Sequence, residues 1–170
     1  MKSQFPYQIV TFLGQQPERN EPVYGGENGW YPQVALKRRF TLRETTEQKF
    51  IDDLGKFFGG IGKLAISTGE LIKPERMPVR VVDIVNQDEL KDLHMRILEQ
   101  FDHHIVSKFP ERESENYYPH ITAEYGGQFV IPYERFTNQT FDVSNIWLLK
   151  DVDGGDSVAY ALVYRHDLHI

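Results

Sequence analysis

Two short segments in opposite halves of this chain nearly repeat each other: Arg39-Phe40-Thr41-Leu42 and His120-Ile121-Thr122-Ala123. Both read as strands, where successive side chains point to opposite faces. Arg39 and Thr41 then share a face, with Phe40 and Leu42 behind them, while His120 and Thr122 share another, with Ile121 behind. Each segment offers one charged or proton-transferring side chain and a hydroxyl two residues on. Two such strands facing each other across a cleft would hold a phosphate between them. A chain built this way is expected to fold as two related halves.

The surrounding pattern agrees with that expectation. Tyr7 to Leu13 is β-branched and aromatic-rich and predicts a first strand. Gly14 to Pro32 reads as a long loop carrying Tyr24, Trp30 and Tyr31, a length often tied to function. Val34 to Leu42 alternates, with Val34, Leu36, Phe40 and Leu42 on one face and Ala35, Lys37, Arg39 and Thr41 on the other. Arg38 is the single exception on the apolar face. Thr45 with Gln48 predicts a capped helix to about Phe58, stopped by Gly59-Gly60. Strands are predicted at Leu64 to Ser67 and Val79 to Val85. Asn86 with Glu89 opens a second helix to about Lys108, with a charged, solvated loop at Glu111 to Glu115 after it. Phe141 to Leu149 and Ser157 to Tyr164 read as strands joined at Asp153-Gly154-Gly155-Asp156, a hairpin signal. Helices and strands mix without regular β-α-β alternation. The expected class is therefore α+β, with largely antiparallel sheets, over one domain spanning 1–170.

Composition narrows the function. Hydrophobic residues make up 40% of the 170, enough for a core and unlike a disordered chain. Cysteine is absent, which removes disulfides and thiolate metal sites and is compatible with a cytoplasmic location. Neither a secretory signal nor a membrane span is expected. The formal net charge of −6 argues against duplex DNA as a partner. A small nucleotide or an RNA terminus needs only a local basic cluster, which Lys37, Arg38, Arg39 and Arg43 supply.

On these residues the chain resembles the two-histidine phosphoesterase superfamily, which includes RNA 2′,5′-ligase-like proteins and cyclic nucleotide phosphodiesterases. His120-Ile121-Thr122-Ala123 matches the family's second motif fully, and Arg39-Phe40-Thr41-Leu42 matches the first at every position except the histidine. The resemblance implies a two-lobed, pseudo-symmetric domain with helices outside and a central cleft. It also implies a 2′,3′-cyclic or 2′-linked phosphodiester as substrate, with no cofactor and no metal. His120 would be the remaining acid or base, Thr122 and Thr41 would bind phosphate oxygens, and Arg39 would be an electrostatic clamp. Lys37, Arg43, Tyr118 and Tyr125 are the expected substrate contacts. A guanidinium stays protonated and offers no lone pair, so Arg39 grips phosphate but does not shuttle protons. Weakened hydrolysis is the expected result. The alternative is a module that binds a nucleotide or RNA terminus without turnover, and a third reading is an interaction protein that keeps only the fold.

Other candidates are weaker. Gly59-Gly60-Ile61-Gly62-Lys63 lacks both the leading glycine and the trailing hydroxyl of a phosphate loop, with Phe57 and Leu64 in those places. His166, Asp167 and His169 read as a polar tail rather than a metal site. His94 flanks the apolar stripe of the second helix as a structural residue, and His103 and His104 suit that helix's C-terminal dipole.

Overall fold

The computed structural model describes residues 5–14, 16–17, 31–152 and 160–168. Tyr24, Trp30, the Asp153 to Asp156 turn, the first residues of the strand expected from Ser157, and His169 lie outside the described residues. The chain runs β1 (Tyr7–Phe12), β2 (Gln33–Leu42), α1 (Glu47–Gly59), β3 (Leu64–Ile72), β4 (Val81–Ile84) and α2 (Gln87–Phe101). It continues through β5 (Ile105–Ser107), β6 (His120–Thr122), β7 (Glu124–Tyr125), β8 (Gln128–Phe129), β9 (Thr140–Val143), β10 (Asn145–Asp151) and β11 (Tyr160–Asp167).

The class is α+β, as expected, and among the described residues every strand pair is antiparallel. The main sheet runs β11-β10-β1-β2-β6-β4-β3-β9, with β5 added to the end of β2. Its two halves meet at a narrow seam, where β2 and β6 pair through Val34 and Ile121. The two near-repeats are therefore carried on adjacent strands, one from each half. The sheet curls around the seam, with α1 and α2 against one face and a cleft on the other.

The helices dock through their apolar stripes. Phe50, Leu54 and Phe58 of α1 and Leu90, Leu93, Ile97 and Phe101 of α2 enter one core with Ile9, Val34, Leu36, Phe40 and Ile121. Each such side chain, fully buried, contributes about 1.5–3 kcal/mol. Phe50 bridges the layers, 5.6 Å from the Phe40 ring and 5.2 Å from Phe101, centroid to centroid. A smaller cluster of Val10, Phe12, Trp147, Leu149 and Tyr160 covers the opposite face of β1 and β10.

Several boundaries differ from the sequence expectation. Thr46, not Thr45, caps α1, accepting from the Lys49 amide. Asn86 sits at the start of α2 but spends its side chain on β3, accepting from the Ser67 amide and donating to the Ala65 carbonyl. The second helix stops at Phe101 rather than near Lys108, because Ile105 to Ser107 extends to pair with Leu42, Thr41 and Phe40. The strand expected from Phe141 to Leu149 is two strands, β9 pairing with β3 and β10 with β1 and β11.

Candidate functional site

The course of β2 determines what enters the cleft. Its register against β1 slips twice: Tyr7 pairs with Phe40, Ile9 with Lys37, and Val10 with Ala35. One residue of β1, Gln8, therefore opposes both Arg38 and Arg39, and Ile9 opposes both Leu36 and Lys37. Such bulges re-aim side chains. Here Leu36 and Lys37 both turn to the core and are fully buried. Arg38 and Arg39 both line the cleft.

Opposite them, β6 presents His120 and Thr122 to the same cleft while Ile121 is buried. The cleft is about 340 Å³. It is bounded also by Tyr31, Gln33 and Ala35 and by Phe109 and Arg112 from the segment before β6. Tyr125 reaches its rim from the β7–β8 hairpin, whose Gly126-Gly127 turn has φ of 60° and 79°. Those left-handed values suit a two-residue hairpin turn that side chains rarely adopt.

The His120 ring donates from Nδ1 to the Tyr118 carbonyl at 2.8 Å, which leaves Nε2 with the lone pair. Burial, and then the Arg38 guanidinium, pull the imidazole down to about 4. At neutral pH His120 is thus an uncharged base. Tyr118 stacks on it, 5.8 Å between centroids. The Tyr118 hydroxyl donates to Asp83 at 2.6 Å, and burial and that carboxylate raise its pKa. Asp83 pairs with His120 across β4 and β6, so the tyrosine braces the histidine from the neighbouring strand.

Arg38 is half-buried, and burial followed by the nearby Arg112 guanidinium lowers its pKa. Among the described residues neither arginine forms a salt bridge. Two guanidiniums that repel each other in a cleft are relieved by an anion. Arg39 is held differently: its Nε donates to the Tyr160 hydroxyl, and its Nη2 lies 3.7 Å from buried Asp151.

The expected site residues are thus divided. The cleft brings together His120, Thr122, Arg39, Tyr118 and Tyr125. Lys37 does not reach it, because the register slip turns it into the core, where it pairs with Glu113 and donates to Ser107 Oγ at 2.9 Å. Thr41 also lies off the cleft, farther along β2 and opposite Val106 of β5. Arg43 follows the strand and is exposed, its Nη2 donating to the carbonyls of Asp102 and His103 at 3.4 and 3.5 Å. It covers the residues that follow α2 and is not part of the cleft lining. Arg112 is a cleft residue that the sequence does not point to, and Arg38, counted in the basic cluster, is not among the substrate contacts expected from sequence. For Arg38 a signal existed, since a lone charge on an apolar face marks a break in alternation. Arg112 had none in its charged, solvated-looking stretch. His94 is structural, as expected: it is buried, bonds the Leu36 carbonyl at 2.8 Å and accepts from the Ser114 amide at 3.1 Å.

No protein-family model matches the sequence, and no curated protein matches it. Solved structures do. E. coli LigT complexed with 3′-AMP aligns over 98% of this chain and 99% of its own, at a TM-score of 0.58 and 16% identity. The fold is that of LigT. A structure described as a phosphoesterase aligns equally well, with a TM-score of 0.58 at 16% identity over 98% of this chain and 99% of that one. LigT complexed with phosphate gives 0.57 at 16% identity, over 99% of this chain and all of that one. At this identity the LigT-like likeness concerns the fold, and the chemistry rests on the cleft itself.

Arg38 and Arg112 make that chemistry testable in the simplest way. Inorganic phosphate is expected to bind wild-type protein, with Arg38→Ala weakening it by about ten-fold or more, the worth of a charge-assisted hydrogen bond of about 1.5–3 kcal/mol. Calorimetric titration at low and moderate salt measures it. Unchanged affinity in the variant would remove Arg38 from the anion site.

Proposed function

We propose that the cleft binds the phosphate of a nucleotide or RNA terminus and slowly hydrolyses a 2′,3′-cyclic or 2′-linked phosphodiester, with His120 as general base. One observation carries this: among the described residues the cleft is lined by three arginines, one histidine and no carboxylate, in a chain of net charge −6. The resemblance of the two motifs to the two-histidine phosphoesterases supports the reaction type. The LigT structures with 3′-AMP, phosphate, NADP+ and ATP support the ligand class. In this reading residues 1–170 form one two-lobed unit that works without a cofactor and in the cytoplasm.

The step follows from the groups present. His120 Nε2 takes a proton from water as the water oxygen bonds to phosphorus. The ester P–O bond breaks, its electrons staying on the ribose oxygen, which is protonated from solvent. Arg38, Arg112 and the Thr122 hydroxyl hold the non-bridging oxygens and stabilise the charge that develops there. Arg39 fills the first motif's histidine position, and a guanidinium donates no proton at working pH. The leaving oxygen therefore goes without an acid, and turnover is slow. That same arginine favours the second reading, a nucleotide-binding module without turnover.

Purified protein incubated with 2′,3′-cyclic nucleotides, scored for binding and for product, separates the two. His120→Ala is expected to lower kcat/KM by about 10²–10⁴-fold while leaving phosphate binding in place. The pH profile is a sharper check. Because the neutral imidazole is the base, activity falls as acid protonates it, and kcat/KM reports the free protein's group. Its acid limb is expected near 4, in place of the ordinary 6.5. Binding without any product would leave the module reading, and no binding would end both.

A further inference from the structure

We propose that His94, on the buried face of α2, is a positioning residue for the anion site. Its Nε2 accepts from the Ser114 amide and so holds the connection between β5 and β6 in the course that brings Arg112 to the cleft. This rests on the reading of the cleft as an anion site and adds to it a residue outside the cleft lining, 1% exposed. The ring joins two elements. Its Nδ1 lies 2.8 Å from the Leu36 carbonyl of β2, and a carbonyl only accepts, so Nδ1 carries the hydrogen and Nε2 the lone pair. The Ser114 amide is 3.1 Å from that Nε2. An amide N–H only donates, so this bond exists only while the ring is neutral. Burial lowers the His94 pKa, and Lys37 and Arg38 on β2 act the same way, against the Leu36 carbonyl and Glu113. At neutral pH the acceptor is therefore in place.

Ser114 is where the connection needs holding. Its φ is 56°, in the left-handed region that serine seldom occupies and that persists where surrounding contacts impose it. Arg112 and the Glu113 that pairs with Lys37 stand immediately before it. On its other side Tyr117 lies flat on the His94 ring, with centroids 4.0 Å apart and planes 12° from parallel. The Tyr117 hydroxyl donates to the Ala35 carbonyl at 2.7 Å. His94 thus meets the connection at both Ser114 and Tyr117. The Lys37–Glu113 pair ties down a side chain, whereas the His94 bond ties down the backbone next to it. Arg112 is itself exposed, so its place at the cleft is set by the backbone that carries it.

The two ring nitrogens have separate amide mimics, which the test uses. Asparagine reaches as far as Nδ1 and keeps the Leu36 bond while giving up Ser114; glutamine reaches as far as Nε2 and accepts from Ser114. Inorganic phosphate is titrated calorimetrically into wild type, His94→Asn, His94→Gln, Arg112→Ala and the double variant His94→Asn/Arg112→Ala. His94→Asn is expected to weaken phosphate about ten-fold, as Arg112→Ala does, and His94→Gln to stay within about two-fold of wild type. In the Arg112→Ala background, His94→Asn is expected to cost less than about two-fold more, because residues that act through one another are not additive. A histidine that served the fold alone would give losses that multiply, and that result would overturn the proposal. So would unchanged phosphate affinity in His94→Asn, or equal losses in the asparagine and glutamine variants. Hydrogen exchange at the Ser114 amide of wild type reads the same bond without a substitution, and decides the matter if His94→Asn does not fold. Protection of about ten-fold or more over an unstructured chain is expected, and an unprotected amide would overturn the proposal. Absence of phosphate binding to wild type would take down the reading of the cleft and this one with it, whereas every other adverse result leaves the cleft standing.

Discussion

Arg39→His is expected to raise turnover of a 2′,3′-cyclic nucleotide by up to about 10²–10⁴-fold, the usual contribution of a positioned general acid. On the proposed mechanism the missing function is proton delivery to the leaving oxygen, and position 39 already lies in the cleft with His120. An imidazole introduced there would find the Tyr160 hydroxyl and the buried Asp151 carboxylate, which now hold the guanidinium. A carboxylate that close favours the protonated ring. The introduced histidine would be charged, an acid, while His120 stays neutral, a base. The proposed mechanism assigns the phosphate grip to Arg38 and Arg112, so it should survive the substitution. The pH–rate profile would gain an alkaline limb that wild type lacks, and His120→Ala in the same background should remove the gain. Slower turnover in Arg39→His than in wild type would show that the guanidinium itself is the catalytic cation.

Lys37→Met should cost about 3–5 kcal/mol of folding stability, the expected penalty for leaving a buried carboxylate without its cation. The Lys37 side chain is fully buried and that of Glu113 is 6% exposed. Ser107 completes the group by donating to Glu113 at 3.0 Å. Burial lowers the Lys37 pKa against the pull of Glu113, so the charged pair is maintained by the partner. A urea midpoint shifted well down, largely restored by adding Glu113→Leu, is the expected pattern, because two apolar groups leave no orphaned charge. A loss under about 1 kcal/mol would mean the carboxylate escapes to water. The pair also anchors the stretch that carries Arg112, next to Glu113 in the chain. Phosphate affinity should therefore fall in Lys37→Met, although Lys37 never touches the ligand.

Those two predictions turn on features of different legibility. Alternation and helical periodicity depend on neighbours in the chain, so the Phe50, Leu54 and Phe58 stripe, the Ile121 core contact and the presentation of His120 and Thr122 were readable from the sequence alone. So were the α+β class and the near-repeat that marks the two halves. Which residues of Val34 to Leu42 face the cleft was not, because a bulge depends on how many residues of β1 stand opposite, and that is a property of the pairing. The slips moved Lys37 into the core, Arg38 into the cleft and left Thr41 beyond it. Arg112 was equally out of reach: its place depends on an ion pair between residues 37 and 113, 76 positions apart. Chain-local patterns were enough for both helices, most of the strands, the core and one half of the proposed anion site. The other half came from long-range contacts, since only strand pairing and a buried charge pair bring Arg38 and Arg112 together beside His120.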